Sequence, residues 1–203
     1  MIELNDDGYK FDDTIICPTD ISATPQRIAQ YRDYYRVKYA IAKAIQPKTI
    51  IEIGVRAGYS AWAFLTACPK ATYYGFDAEN GNHGGNGGPY AWWAQRILSE
   101  RGFRFKVFAP YDTQCHGKLP KSADFYHVDG DHTTDGVYHD MKICFDDMDV
   151  GSYMLIDDYN YVEAAAVRVG VDRWLDKHHH YVSWSHYPSL RGEVLVRKEK
   201  EMD

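Results

Sequence analysis

Two acidic clusters close two short apolar runs in this chain of 203 residues: Asp129-Gly130-Asp131-His132 follows Ala123 to Val128, and Asp157-Asp158 follows Tyr153 to Ile156. Carboxylates and an imidazole at such points could hold a cation and move a proton. Oxygen donors suit hard cations, and Mg²⁺ is commonly held by a few carboxylates together with waters and substrate oxygens. Three neighbouring carboxylates without a counter-charge repel and are driven to protonate. Asp129, Asp157 and Asp158 therefore read as ligands for Mg²⁺ or another divalent cation, which would also lower the pKa of a bound hydroxyl. Asp131 and His132 compete as the base, with His132 favoured because imidazole titrates near neutrality while a carboxylate needs a large upward shift. Asp131 also has a plainer reading as a helix cap, a role Thr133 or Thr134 could fill equally well.

A second motif lies upstream, in Glu52-Ile53-Gly54-Val55-Arg56-Ala57-Gly58-Tyr59-Ser60. A glycine turn between a strand and a helix lets a ligand approach backbone N–H groups, and the helix start favours negative charge. The spacing is neither that of dinucleotide folds nor that of a phosphate loop, which disfavours NAD and ATP. Asp77, at the end of the next strand-like run, is placed to accept hydrogen bonds from a ribose hydroxyl pair. Without Asp77 the turn would read equally well as simple helix-on-sheet packing.

The elements that must position these groups follow from periodicity. Thr24 to Ile45 carries apolar residues at helical spacing and stops at Gln46-Pro47, and Thr49 to Ile53 is a β-branched strand. Helix fits Ser60 to Cys68, strand Ala71 to Phe76, helix Tyr90 to Arg101, strand Phe103 to Phe108, strand Ala123 to Val128, helix Thr134 to Asp146, strand Tyr153 to Ile156 and helix Tyr161 to Lys177. Tyr181 to His186 and Glu193 to Val196 read as a hairpin around Pro188 to Gly192. This alternation predicts a single-domain, doubly wound α/β sheet, mostly parallel, with a C-terminal antiparallel hairpin and helices on both faces. The carboxyl ends of its strands share one crevice, so the two acidic clusters are expected to meet there. Residues 24–203 are expected to form the domain and residues 1–23 an N-terminal extension that covers the cleft or contacts another subunit.

Composition narrows the partners. With 45% hydrophobic and 26% charged residues the chain suits one globular core, and a net charge of -6 gives no electrostatic reason for a nucleic-acid partner. Cys17, Cys68, Cys115 and Cys144 are scattered, with no metal-binding or secreted framework, and read as reduced thiols. No run is long enough to span a membrane and the N-terminus lacks signal-peptide order, so no membrane partner and a cytoplasmic location are expected. A small-molecule partner is implied, and a homo-oligomer is left open. The stretch from Gly81 to Gly88, followed by Tyr90, Trp92 and Trp93, reads equally as a lid or as a surface connection. His127 reads as a structural histidine, His178 to His180 as partners of a helix end, and Asp146, Asp147 and Asp149 as solvated charges. Arg191 and His186 are lesser candidates in the hairpin.

Taken as an ordered set, Glu52-x-Gly54-x-x-x-Gly58-x-Ser60, Tyr73 to Asp77, His127 to His132 and Leu155 to Tyr159 resemble the class I S-adenosylmethionine-dependent methyltransferases, whose fold is Rossmann-like. More narrowly the set is similar to the metal-dependent small-molecule O-methyltransferases related to the macrocin and mycinamicin sugar methyltransferases. The resemblance spans about Thr49 to Trp174. It implies that Glu52, Gly54, Val55, Gly58, Ser60 and Asp77 bind S-adenosylmethionine, that Asp129, Asp157 and Asp158 hold Mg²⁺, and that Asp131 or His132 deprotonates a sugar, phenol or catechol hydroxyl. Two other readings compete: a metal-dependent hydrolase using the same acids, which leaves Gly54, Gly58 and Asp77 without a role, and a non-catalytic cofactor-binding protein.

Overall fold

The computed structural model describes residues 2–81, 88–116, 119 and 122–202. Helix α1 (Pro25–Ile45) starts at Thr24, whose hydroxyl accepts from the Arg27 N–H at 3.3 Å, and ends at Gln46 in a left-handed conformation. Strand β1 (Thr49–Ile53) leads through a turn into α2 (Tyr59–Ala67), and β2 (Thr72–Phe76), α3 (Ala91–Glu100) and β3 (Arg104–Phe108) follow. A short α4 (Thr113–His116) precedes β4 (Phe125–Val128), then α5 (Thr134–Asp147), β5 (Tyr153–Ile156), α6 (Ala165–His178), β6 (Val182–Tyr187) and β7 (Glu193–Lys198).

The seven strands form one sheet in the order β3-β2-β1-β4-β5-β7-β6. β1 to β5 are mutually parallel, while β7 runs antiparallel to both β5 and β6. The chain leaves β1 for β2 on one side and returns to β4 on the other, so the crevice beyond their carboxyl ends is a topological switch point. Side chains alternate across the sheet. Ile50, Phe125 and Leu155 pack with residues of α1, α2 and α3, whereas Ile51, Tyr126, Val128 and Ile156 pack with residues of α5 and α6. The expected doubly wound sheet with its terminal hairpin is the observed one.

That alternation also sets the polar groups. Glu52 of β1 and His127 of β4 are register partners, both fully buried, on the face covered by α1 and α2. In α1, Tyr34 and Lys38 lie four residues apart and therefore on one helix face.

Two local features depart from the sequence reading. The helix from Tyr161 is split into a 3-10 turn, Val162–Ala164, and α6 from Ala165. Tyr161 N–H is tied to the Asp158 carbonyl at 3.0 Å and Ala164 N–H to the Tyr161 carbonyl at 3.0 Å, which holds this segment against the end of β5. The α4 turn, too short for a periodic signal, was not anticipated. Residues 2–23 pack against the domain: Ile15 and Cys17 are buried in the core, Trp93 Nε1 donates to the Ile15 carbonyl at 2.6 Å, and Ile2 N–H donates to the Tyr187 hydroxyl at 3.0 Å. No helix among the described residues is long and apolar enough to cross a membrane. Cys17, Cys68 and Cys144 are buried free thiols, and Cys115 is exposed.

Candidate active site

An open cleft of about 360 Å³ lies at the switch point, bounded by the glycine turn, the ends of β2 and β4, and α1. This falls within the roughly 300–1,000 Å³ usual for small-molecule sites.

At one end, Gly54 (φ 89°) and Gly58 (φ 81°) shape the turn between β1 and α2. A Cβ on Gly54 would lie 1.9 Å from the Asp129 carbonyl oxygen, and one on Gly58 would lie 2.7 Å from Ala94 Cβ. Glycine at 54 therefore lets the ends of β1 and β4 meet, and glycine at 58 lets α3 close on the turn. Gly54, Val55, Ser60 and Asp77 line the cleft. Asp77 accepts from Arg56 N–H at 2.6 Å and from Glu79 N–H at 2.7 Å, one bond on each oxygen. Burial raises its pKa and these two amides pull the other way. Arg56, at φ 48°, turns its guanidinium to Asp20 and to Ser22 at 2.7 Å, joining the turn to the N-terminal segment.

Glu52 and Gly58 do not line the cleft. Glu52 is fully buried behind it, accepting from Ser60 Oγ at 2.5 Å and from the Tyr73 hydroxyl, with His127 Nδ1 at 2.8 Å. The other imidazole nitrogen faces Lys38 Nζ at 3.1 Å. An ammonium can only donate, so Nε2 accepts and the ring proton sits on Nδ1, donating to Glu52. His127 is thus the structural histidine expected. Of the aromatics beyond the glycine-rich stretch, Trp93 is buried and Trp92 is half exposed. Residues 82–87 of that stretch lie outside the described residues.

Asp129 and His132 also line the cleft, and Asp158 packs against His132 without itself lining the cleft. His132 Nε2 is 3.5 Å from Asp129 Oδ1 and 3.5 Å from Asp158 Oδ2. Asp158, at φ 59°, is 1% exposed, and its Oδ1 accepts from Arg191 Nη1 at 3.2 Å. The Arg191 guanidinium stacks over the rings of Tyr34 and Tyr161 at 5.0 and 4.5 Å. Burial works against charge on His132, but Asp129 beside it, with Asp158 and Asp157, raises its pKa to about 9. Burial, together with Asp157 and Asp129, raises Asp158 to about 7.

Asp131 and Asp157 are otherwise engaged. Asp131 Oδ1 accepts from Thr133 N–H at 2.7 Å at the start of α5, where Thr133 caps Gly136 at 3.0 Å. Its side chain thus supports the helix start even though the residue borders the cleft. Asp157 is buried against Lys38 Nζ at 2.8 Å and the Tyr34 hydroxyl. Burial opposes its ionisation, yet the Lys38 charge and these hydrogen bonds hold its pKa below the usual carboxylate range.

Among the described residues, donor atoms fit for a metal gather within 4.8 Å in two groups, His127-Asp129-Asp157 and Asp129-His132-Asp158, and neither contains all three expected aspartates. In the first, Lys38 already supplies a positive charge between Asp157 and His127. In the second, Asp158 pairs with Arg191 through Oδ1, while its Oδ2, the atom that faces His132, is buried without a hydrogen-bond partner. The residues present do not fit Mg²⁺ held by Asp129, Asp157 and Asp158, because the counter-charge expected from a cation comes from the chain itself. Lys38 and Tyr34 were the residues that sequence reasoning missed as site components, and Arg191 was only a lesser candidate. A lysine one turn beyond a tyrosine in an otherwise apolar helix face was the available signal for the first two.

A methyltransferase-domain family model matches residues 51–159, more than half of the chain, and the chain belongs to that family. Its sheet is that of the class I S-adenosylmethionine-dependent methyltransferases. No curated protein matches. Among solved structures, the SAH-bound methyltransferase PaMTH1 of Podospora anserina is similar at 17% identity and TM-score 0.65, covering 88% of this chain and 84% of that one. An O-methyltransferase from Bacillus cereus in complex with SAH is 12% identical, with TM-score 0.67 and coverage of 96% and 94%. TomG of Streptomyces achromogenes, an O-methyltransferase involved in tomaymycin synthesis and solved with SAM, is 18% identical, with TM-score 0.64 and coverage of 82% and 80%. At these identities the likeness is one of fold.

Proposed function

We propose that this protein transfers a methyl group from S-adenosylmethionine to a hydroxyl of a small molecule, a sugar or a phenol, with His132 as the base. The observation that carries this reading is the placement of His132, 3.5 Å from both Asp129 and Asp158, in the same cleft that Gly54 of the glycine turn and the Asp77 carboxylate line. The amide-anchored carboxylate of Asp77 suits the ribose hydroxyls, and the Gly54 backbone with Val55 and Ser60 suits the rest of the donor. That glycine, on which a side chain would strike the Asp129 carbonyl, leaves room at the contact between the two halves. When bound, S-adenosylmethionine supplies an electrophilic methyl group on a sulfonium centre.

The residues of the chain do the remainder. His132 Nε2, in the neutral form that its raised pKa makes the minor one at neutral pH, takes the proton of the acceptor hydroxyl as the hydroxyl oxygen bonds the methyl carbon and the carbon–sulfur bond breaks to release the thioether product. Asp129 and Asp158 stabilise the imidazolium so formed. Arg191, stacked between tyrosines, holds Asp158 in place. Holding the two reactants in line supplies much of the remaining acceleration. Asp131 is the lesser candidate for the base, since its carboxylate is bonded at the start of α5.

Calorimetric titration with S-adenosylmethionine and its demethylated product tests the donor half, and absence of binding by both would remove the reading. Turnover against panels of sugars, phenols and catechols tests the acceptor half. Cofactor binding with no turnover on any panel would favour a non-catalytic binding protein.

A further inference from the structure

Asp129 lines the cleft and Asp157 and Asp158 are buried beside it, yet two cations of the chain are already seated among them. Lys38 is fully buried, with Nζ 2.8 Å from Asp157 and 3.1 Å from His127 Nε2. Arg191 is 3.2 Å from Asp158 and clamped between two aromatic rings. We infer that Lys38 and Arg191 take the place of a divalent ion, so that the acceptor site works without a resident metal.

The charge balance supports this directly. Three carboxylates with one divalent ion would leave one net negative charge. Three carboxylates, all counted as ionised, with one ammonium and one guanidinium leave the same formal charge beside His132. The two cations are also fixed by unrelated elements, one helix and one hairpin, and each has further contacts that a solvated counter-ion would not need. Tyr34 bonds Asp157 beside Lys38, and the Tyr34 ring also faces both cations, at 4.6 Å from Lys38 Nζ and 5.0 Å from Arg191. Together the three residues form a built unit. A metal at the His127-Asp129-Asp157 group would have to displace a buried ammonium, and the cost of leaving that charge unpaired makes such displacement unfavourable.

The inference deepens the methyl-transfer reading and rests on it only for the use made of the site, because its first readout is cation binding. Mn²⁺ is titrated into chelator-treated full-length protein, with and without the demethylated cofactor, and free Mn²⁺ is followed by electron paramagnetic resonance. The expected result is an undiminished free-Mn²⁺ signal with Mn²⁺ in the micromolar range, and Mg²⁺ titration without heat of binding. Where an acceptor is found, turnover in excess EDTA is expected within twofold of that with added Mg²⁺. The variant Lys38→Met, which frees Asp157 and His127, is expected to bind Mn²⁺ at least tenfold more tightly than the parent. Stoichiometric Mn²⁺ uptake by the parent protein, or turnover abolished by EDTA and restored by Mg²⁺, would overturn the inference. If Lys38→Met does not fold, the parent titration decides alone. Failure of the methyltransferase reading appears separately, as absence of S-adenosylmethionine binding.

Discussion

The two ends of the cleft are built by different means. The donor end is made from neighbours in sequence: a strand, a glycine turn, a helix start and the acid at the end of the next strand, with backbone amides fixing the Asp77 carboxylate. The acceptor end is made from charges drawn from distant elements, with Lys38 of α1 meeting Asp157 after β5 and Arg191 of the hairpin meeting Asp158. A backbone cradle depends on conformation and tolerates many side chains nearby. A charge cluster depends on pairing, and removal of one member leaves another unpaired in a site with little water.

The largest expected contrast is in catalysis. His132→Ala should lower turnover by about 10²–10⁴-fold, the usual contribution of a general base, while calorimetry shows cofactor affinity unchanged. Equal losses in affinity and turnover would erase the division between the ends. Lys38→Met should destabilise the fold by about 3–5 kcal/mol in denaturant unfolding, as breaking a buried ion pair does, whereas the double change Lys38→Met/Asp157→Leu should recover most of that loss. No recovery would mean that Lys38 acts mainly through packing. Gly54→Ala should cost about 2–5 kcal/mol, combining overpacking with a left-handed backbone, and here no charge substitution can restore it. Asp77→Asn should weaken cofactor binding by about 1–2 kcal/mol through the loss of a charge-assisted hydrogen bond and leave unfolding almost unaffected.

A further contrast is in the pH dependence of stability. Burial raises Glu193 to about 7, against the pull of Lys38. The folded state then binds more protons than the unfolded chain between roughly pH 4.3, the ordinary glutamate value, and neutrality, so this contribution is full in acid and is lost as pH rises through 7. Asp157, whose pKa is lowered, acts in the opposite sense: its contribution is present above the ordinary aspartate range and is lost as pH falls. Glu193→Gln should flatten the decline towards neutral pH and leave the acid limb in place, measured by denaturant midpoints across that range.

The same contrast explains what the sequence could disclose. The sheet was legible because β-branched runs and helical spacing alternate cleanly, and the glycine turn and Asp77 were legible because their partners lie close in the chain. Asp129, His132 and Asp158 were found together because all of them follow strands that end at one crevice. Their counter-charges were not legible. The tyrosine one turn before Lys38 was its one local signal and did not name its partner, and Arg191, a lesser candidate, sits in a turn where an arginine is ordinary. Three aspartates therefore read as a vacancy for a metal, when the tertiary fold brings two cations to them. Asp131 was ambiguous for the opposite reason: its bond to Thr133 is local, and the sequence alone could not choose between a cap and a base.

The bond from Ile2 to Tyr187 spans 185 residues, and Ile2 also receives a hydrogen bond from the same hydroxyl through its carbonyl at 3.2 Å. The beginning of the chain is thereby stitched to β6, and Arg191 follows a few residues later. Contacts of such separation carry the full loop-closure cost before they return any stabilisation. Asp158 has no guanidinium to meet, and the N-terminal segment no Tyr187 to hold it, until the hairpin has been made. The hairpin thus completes the edge of the sheet and the charge pairing of the acceptor site together.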